Sequence, residues 1–163
     1  MDTILEIEEE ISDYERERGK PMPSFEHALT QSTLLSLIKM KYPNVLVLSE
    51  LSLKLSDDFA PTPDVCIYPK QMMADLRKMK GKKITIPPQL AVEILSPKQA
   101  LQDLFDKAEL FLNHSVDEVW VIIPEIQSIT VCRQGLKQRT YTTGSVQHTL
   151  SGISIHIEEL FAE

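Results

Sequence analysis

Three neighbouring stretches in the middle of the chain constrain its fold more than anything else in it. Residues 89–95 read Gln-Leu-Ala-Val-Glu-Ile-Leu, and residues 118–123 read Glu-Val-Trp-Val-Ile-Ile. Both are strand-length apolar runs, and the second is apolar enough to predict burial on both faces. Between them, Leu101, Leu104, Phe105, Ala108, Phe111 and Leu112 recur at helical spacing. Ser96-Pro97 reads as an N-cap with proline at the first helical position. Strand, helix and strand of these lengths predict a right-handed parallel crossover.

The rest of the chain builds around that unit. Ile4, Leu5, Ile7, Ile11 and Tyr14 predict an N-terminal helix ending near Gly19. After Pro21 and Pro23, Ser24 reads as the N-cap of a second helix running to about Lys41, with Phe25, Ala28, Leu29, Leu35, Ile38 and Tyr42 as its apolar stripe. Pro43 stops it. Residues 45–55 alternate and predict one long strand. A turn at Ser56-Asp57-Asp58 and the extended Pro61-Thr62-Pro63 lead into a strand at 64–68. Residues 70–88 predict a short helix and a basic loop. Strands are expected at 128–133, 137–141 and 153–157. The expected fold class is α/β, a mixed central β-sheet flanked by helices, in a single domain over 1–163. The expected parts are an acidic helix over 1–19, a core over 20–135, and C-terminal strands over 136–163 that extend the sheet or form a dimer surface.

The chain's 163 residues suffice for one domain with a proper core. Its net charge of −7 is uneven. Residues 1–19 carry eight acids and two arginines, a net −6, so the other sixteen acids and fifteen bases nearly cancel. Cys66 and Cys132 each sit in an apolar run and read as buried free thiols in a reducing compartment. No apolar run approaches the ~18 residues of a membrane helix, and no signal peptide opens the chain. The expected location is cytoplasmic.

No glycine-rich phosphate loop, zinc-spaced Cys/His set or nucleophile elbow appears. The distinctive residues are acids. Asp64 opens a strand directly after a proline. Glu93 lies inside an apolar strand, where a charge is costly unless paired or bound to metal. Two carboxylates at neighbouring strand ends can hold a divalent cation. The alternative is a structural one: Glu93 in a buried salt bridge with a lysine, and Asp64 capping a turn. The segment 70–83 holds six cations (Lys70, Arg77, Lys78, Lys80, Lys82, Lys83) against Asp75. It reads either as a phosphate-contacting loop or as a solvated surface.

Pro63-Asp64-Val65, Val92-Glu93-Ile94-Leu95-Ser96-Pro97, Lys107 and the run from Val116 to Pro124 together resemble the Uma-two family, assigned to the restriction-endonuclease-like PD-(D/E)XK nucleases. Ser24 and His27 join the match, which covers roughly residues 20–135. The resemblance implies a restriction-endonuclease-like core with a four-stranded mixed sheet. It implies that Asp64 and Glu93 bind Mg²⁺ or Mn²⁺ at an active site, and that nucleic acid, DNA first, is the partner. The superfamily usually places lysine two residues after the second acid. That position is Leu95 here, so Lys107 becomes the candidate catalytic lysine; the alternative is an ordinary helical pair with Asp103. His27 matches a position often histidine in the family and is expected to orient water or approach the metal, or else to be a helix-face residue with no role. Glu26 and Glu50 are further acids within conceivable reach. Ser115-Val116 and Ile123-Pro124 stand where the family has Gly-Val and Asp-Pro.

The expected function is a metal-dependent endonuclease that hydrolyses phosphodiesters. The alternatives are a catalytically degenerate nucleic-acid-binding module and a protein-interaction module, with a homodimer as one expected assembly.

Overall fold

A computed structural model describes residues 24–163. The helix expected over residues 1–19 lies outside the described residues.

Helix α1 (Phe25–Lys41) is capped by Ser24, whose hydroxyl accepts the His27 amide at 3.2 Å. That bond satisfies one of the helix's orphan donors. The helix ends at Tyr42, as expected ahead of Pro43. Its buried face matches the expected stripe only in the second half, where Ile38 is buried and Leu35 and Tyr42 pack on the core. His27, Thr30, Leu34 and Ile38 face inward, while Phe25 and Leu29 are exposed. His27 occupies an inward position because this end of α1 lies against Asp64, a partner that only the fold supplies.

Strand β1 (Val45–Ser49) pairs antiparallel with β2 (Val65–Pro69). The long strand expected over 45–55 stops at Ser49, because Glu50 adopts φ 49, outside the β region. Residues 51–63 form a loop tethered by a bridge from Leu53 to Ile84. A 3₁₀ turn and the short helix α2 (Met73–Arg77) follow β2. Their Met72, Leu76 and Met79 pack on the core, while their cations stay exposed.

The crossover forms as expected. Strand β3 (Leu90–Ile94) runs parallel to β4 (Glu118–Ile123), joined by helix α3 (Leu101–Asn113). The helix begins later than Ser96-Pro97 suggests. Ser96 instead makes a turn in which its carbonyl accepts the Gln99 amide at 3.0 Å, and Ala100 precedes the helix with no side-chain cap. Strands β5 (Ser128–Arg133) and β6 (Arg139–Tyr141) complete a six-stranded mixed sheet in the order β1-β2-β3-β4-β5-β6.

The two-residue period of the strands sorts their side chains into two cores. Val65, Ile67, Leu90, Val92, Ile94, Trp120 and Ile122 pack under α1. Cys66, Tyr68, Ala91, Val119 and Val121 pack under Leu104, Ala108 and Phe111 of α3. Full burial of a side chain such as Phe111 contributes about 1.5–3 kcal/mol. The C-terminal segment does two things. Strand β6 extends the main sheet. Strands β7 (Ser145–His148) and β8 (Ile153–His156) form a separate two-stranded sheet that, with helix α4 (Ile157–Leu160), packs on the α1 side. Among the described residues, no helix is long and apolar enough to cross a membrane.

Candidate active site

Asp64 immediately precedes β2. Antiparallel pairing sets Val65 against Val92, so continuing the register by one residue brings Asp64 opposite Glu93. The Asp64 side chain is buried and held from several sides. Its Oδ2 accepts the Ile94 amide at 2.8 Å and stands 3.1 Å from His27 Nε2. Its backbone carbonyl accepts from Gln31 Nε2 at 2.9 Å and from the Glu50 amide at 3.1 Å. Strand β3, helix α1 and the residue ending β1 therefore all fix this one position.

Glu93 belongs to a strand whose every residue is buried, and its own exposure is 2%. It shares a face with Ala91, the face covered by α3. From α3, Lys107 Nζ reaches to 2.8 Å from Glu93 Oε1. The lysine is 24% exposed, so its ammonium joins the buried carboxylate to the solvent edge. Its ion pair is with Glu93 and not with Asp103, which the helical spacing alone would have offered. With Leu95 two residues after Glu93, the lysine beside this carboxylate comes from the next element along the chain.

His27, Asp64, Glu93 and Lys107 are brought together as two contacts, His27 with Asp64 and Lys107 with Glu93, on adjacent strand ends. Glu26 is exposed on α1. Glu50 adjoins Asp64 through its backbone amide. Asp57 and Asp58 are exposed in their turn. Among the described residues, no three His, Cys, Asp or Glu side chains gather as a ready metal cluster. The basic segment starts at Lys70, at the opposite end of β2 from Asp64. The cysteines are inert by burial, which pushes the Cys66 thiol up to about 12 and Cys132 up to about 11.

Sequence reasoning did not single out Gln31. The signal was present, since Gln31 lies four residues after His27 and so on the same side of a helix.

The Uma2 family model, described as "Putative restriction endonuclease", matches residues 2–160. No curated protein matches the chain. Among solved structures, the crystal structure of a "putative nuclease belonging to DUF820" from Anabaena variabilis is similar, with a TM-score of 0.72 at 23% identity. The match covers 88% of this chain and 84% of that one. At that identity the likeness establishes a shared fold.

Proposed function

The chain belongs to the Uma2 family, and from that premise we propose that it is a metal-dependent endonuclease hydrolysing nucleic-acid phosphodiester bonds, DNA first among them. One observation carries this reading: two buried carboxylates on adjacent strand ends, with a lysine ammonium 2.8 Å from one of them.

The donor set suits a hard cation. Mg²⁺ is commonly held by only one or two carboxylates, with water and substrate phosphate as its other ligands. Asp64 and Glu93 would hold Mg²⁺ or Mn²⁺, which when bound supplies Lewis acidity and lowers the pKa of water. The remaining work falls to the chain itself. The Ile94 amide and His27 orient the Asp64 carboxylate. Lys107 positions Glu93 and offers positive charge to a developing phosphoryl oxyanion. Among the described residues His27 Nδ1 is buried with no hydrogen-bond partner, so the contact that holds this ring is the one its Nε2 makes with Asp64.

The test incubates the full chain with DNA or RNA and Mg²⁺ or Mn²⁺. Asp64→Asn and Glu93→Gln should each lower cleavage about a hundredfold or more. Lys107→Met should also lose cleavage, and should destabilise the fold by about 2 kcal/mol; this is less than a fully buried pair would lose, because the lysine is partly exposed. Combining it with Glu93→Gln should restore stability but not cleavage. A Glu93→Gln variant that cuts at the wild-type rate would refute the proposal. Leu95 at the customary lysine position favours the binding-only alternative, and metal-stimulated binding without cleavage by the wild type would select it.

A further inference from the structure

A second polar site lies at the other end of the sheet. Glu118 opens β4 opposite Leu90 and Arg133, while Glu93 pairs further along with Val121. The three-residue offset places Glu118 about 10 Å along the strands from the Glu93 position. A cavity of about 370 Å³ opens there, with Glu118, Arg133, Lys137 and Arg139 in its lining.

Its charge is unbalanced. Three cations and one acid line it, and a second acid, Asp117, stands behind Arg133. Glu118 is 3% exposed; its Oε2 accepts from Trp120 Nε1 at 2.7 Å and its Oε1 lies 3.5 Å from Arg133 Nε. Arg133 also stands 3.9 Å from Asp117 Oδ1. Arg133 is therefore anchored by acids of the fold, whereas Lys137 and Arg139 have no ion-pair partner among the described residues. Val131 and Tyr141 give the cavity an apolar wall, and Arg139 lies over the Tyr141 ring at 5.7 Å. Gln147 and Thr149 add neutral hydrogen-bonding groups.

We propose that this cavity binds a phosphate monoester carried on a flat ring, the chemistry of a nucleoside monophosphate. A monoester carries about −1.5 to −2 at neutral pH, which matches the two cations, Lys137 and Arg139, that no acid among the described residues pairs; a phosphodiester or a carboxylate carries only one charge. The Arg139 fork, held over Tyr141, suits phosphate oxygens, and the apolar wall beside it suits a flat ring. The volume falls within the range of small-molecule sites. A free mononucleotide and the 5′-phosphorylated end of a nucleic-acid strand present the same chemistry.

The test uses the full chain in EDTA, so its outcome is independent of the carboxylate site. Trp120 is the single tryptophan and donates to Glu118, which makes its fluorescence a reporter of the cavity, checked by calorimetry. Adenosine 5′-monophosphate should bind saturably and adenosine at least tenfold more weakly. Lys137→Gln with Arg139→Gln should weaken the nucleotide at least tenfold, each single change by several-fold, and Glu93→Gln should leave it unchanged. Competition by a 5′-phosphorylated oligonucleotide, and not by its 5′-hydroxyl counterpart, would assign the strand end as ligand; binding of the mononucleotide alone would assign the free nucleotide. The proposal is overturned if neither adenosine compound binds, if the two bind alike, if the Lys137 and Arg139 changes have no effect, or if Glu93→Gln is the change that abolishes binding.

Discussion

Glu93 and Glu118 are both acids within fully buried strands, and their surroundings handle the charge differently. Glu93 has a lysine at 2.8 Å. Burial pushes the Glu118 carboxyl above its ordinary 4.5. The Trp120 hydrogen bond and the His148 and Arg133 charges pull it back down, while Asp117 adds to the rise. With the folded-state pKa above the unfolded one, the native state holds more protons between the two values. Stability linked to Glu118 is therefore complete below the unfolded pKa and falls as pH rises through the folded pKa. Glu118→Gln keeps an acceptor for Trp120 and removes the titration. The variant should gain on the wild type as pH rises from 4 to 7, measured as the difference in urea midpoints at each pH; a constant difference would show that Glu118 does not carry this linkage. The same pair shows what a sequence reveals at this scale. Glu93 stood out because apolar residues flank it on both sides. Glu118 opens its run and looks like an ordinary strand edge; its burial depends on Trp120 and Arg133, which meet it only in the sheet. The contact of His27 with Asp64 joins two elements far apart in the chain, and no local pattern announces it.

At the scale of elements, the crossover was legible because two apolar runs and one helical stripe leave few other arrangements. The elements that misled did so through backbone conformation. Glu50 turns left-handed and ends β1, although nothing about a glutamate signals that turn. Ser145–His148 is too short and too polar to predict as a strand, yet it pairs with β8. Ser115, in the turn between α3 and β4, adopts φ 71, a region that favours glycine. This gives physical meaning to a departure visible in the sequence, because the family pattern has glycine at this place. An L-residue in that conformation costs roughly 1–2 kcal/mol, while glycine's extra unfolded-state freedom offsets about 0.5–1 kcal/mol. Ser115→Gly should therefore stabilise the protein by about 0.5–1 kcal/mol, seen as a higher urea midpoint with an unchanged slope. A lower midpoint would mean that Ser115 makes interactions worth more than its backbone strain.

At the scale of the molecule, α1 couples the two ends of the structure. Its first turns hold Asp64 through His27 and Gln31, and its C-cap residue, Tyr42, holds β8. The Tyr42 hydroxyl donates to the Ser154 carbonyl at 3.0 Å and accepts the Ser154 amide at 2.9 Å, across 112 residues of sequence. Asp117, through His148 and on to Ser151, pins the same hairpin to the start of β4, at 2.9 Å and 2.6 Å. This docking was the least legible part of the fold, because a tyrosine before a proline reads only as a helix end. Tyr42→Phe would preserve the ring and its packing and strip both backbone groups of Ser154 of their partner. Each unsatisfied buried group costs about 1–3 kcal/mol, but this site is partly exposed, so water can recover some of that and the expected loss is about 1–2 kcal/mol. Hydrogen exchange separates two forms of that loss. If α1 and the hairpin unfold as one unit with the sheet, protection falls evenly across β3, β4 and β8. If the hairpin is a separate, weaker unit, the other amides of β7 and β8 lose protection while Ile94, which donates to Asp64, keeps it. The number of core side chains that β7 and β8 share with α1 favours the first result. It would mean that the geometry of the carboxylate site depends on a hairpin that contributes no residue to it.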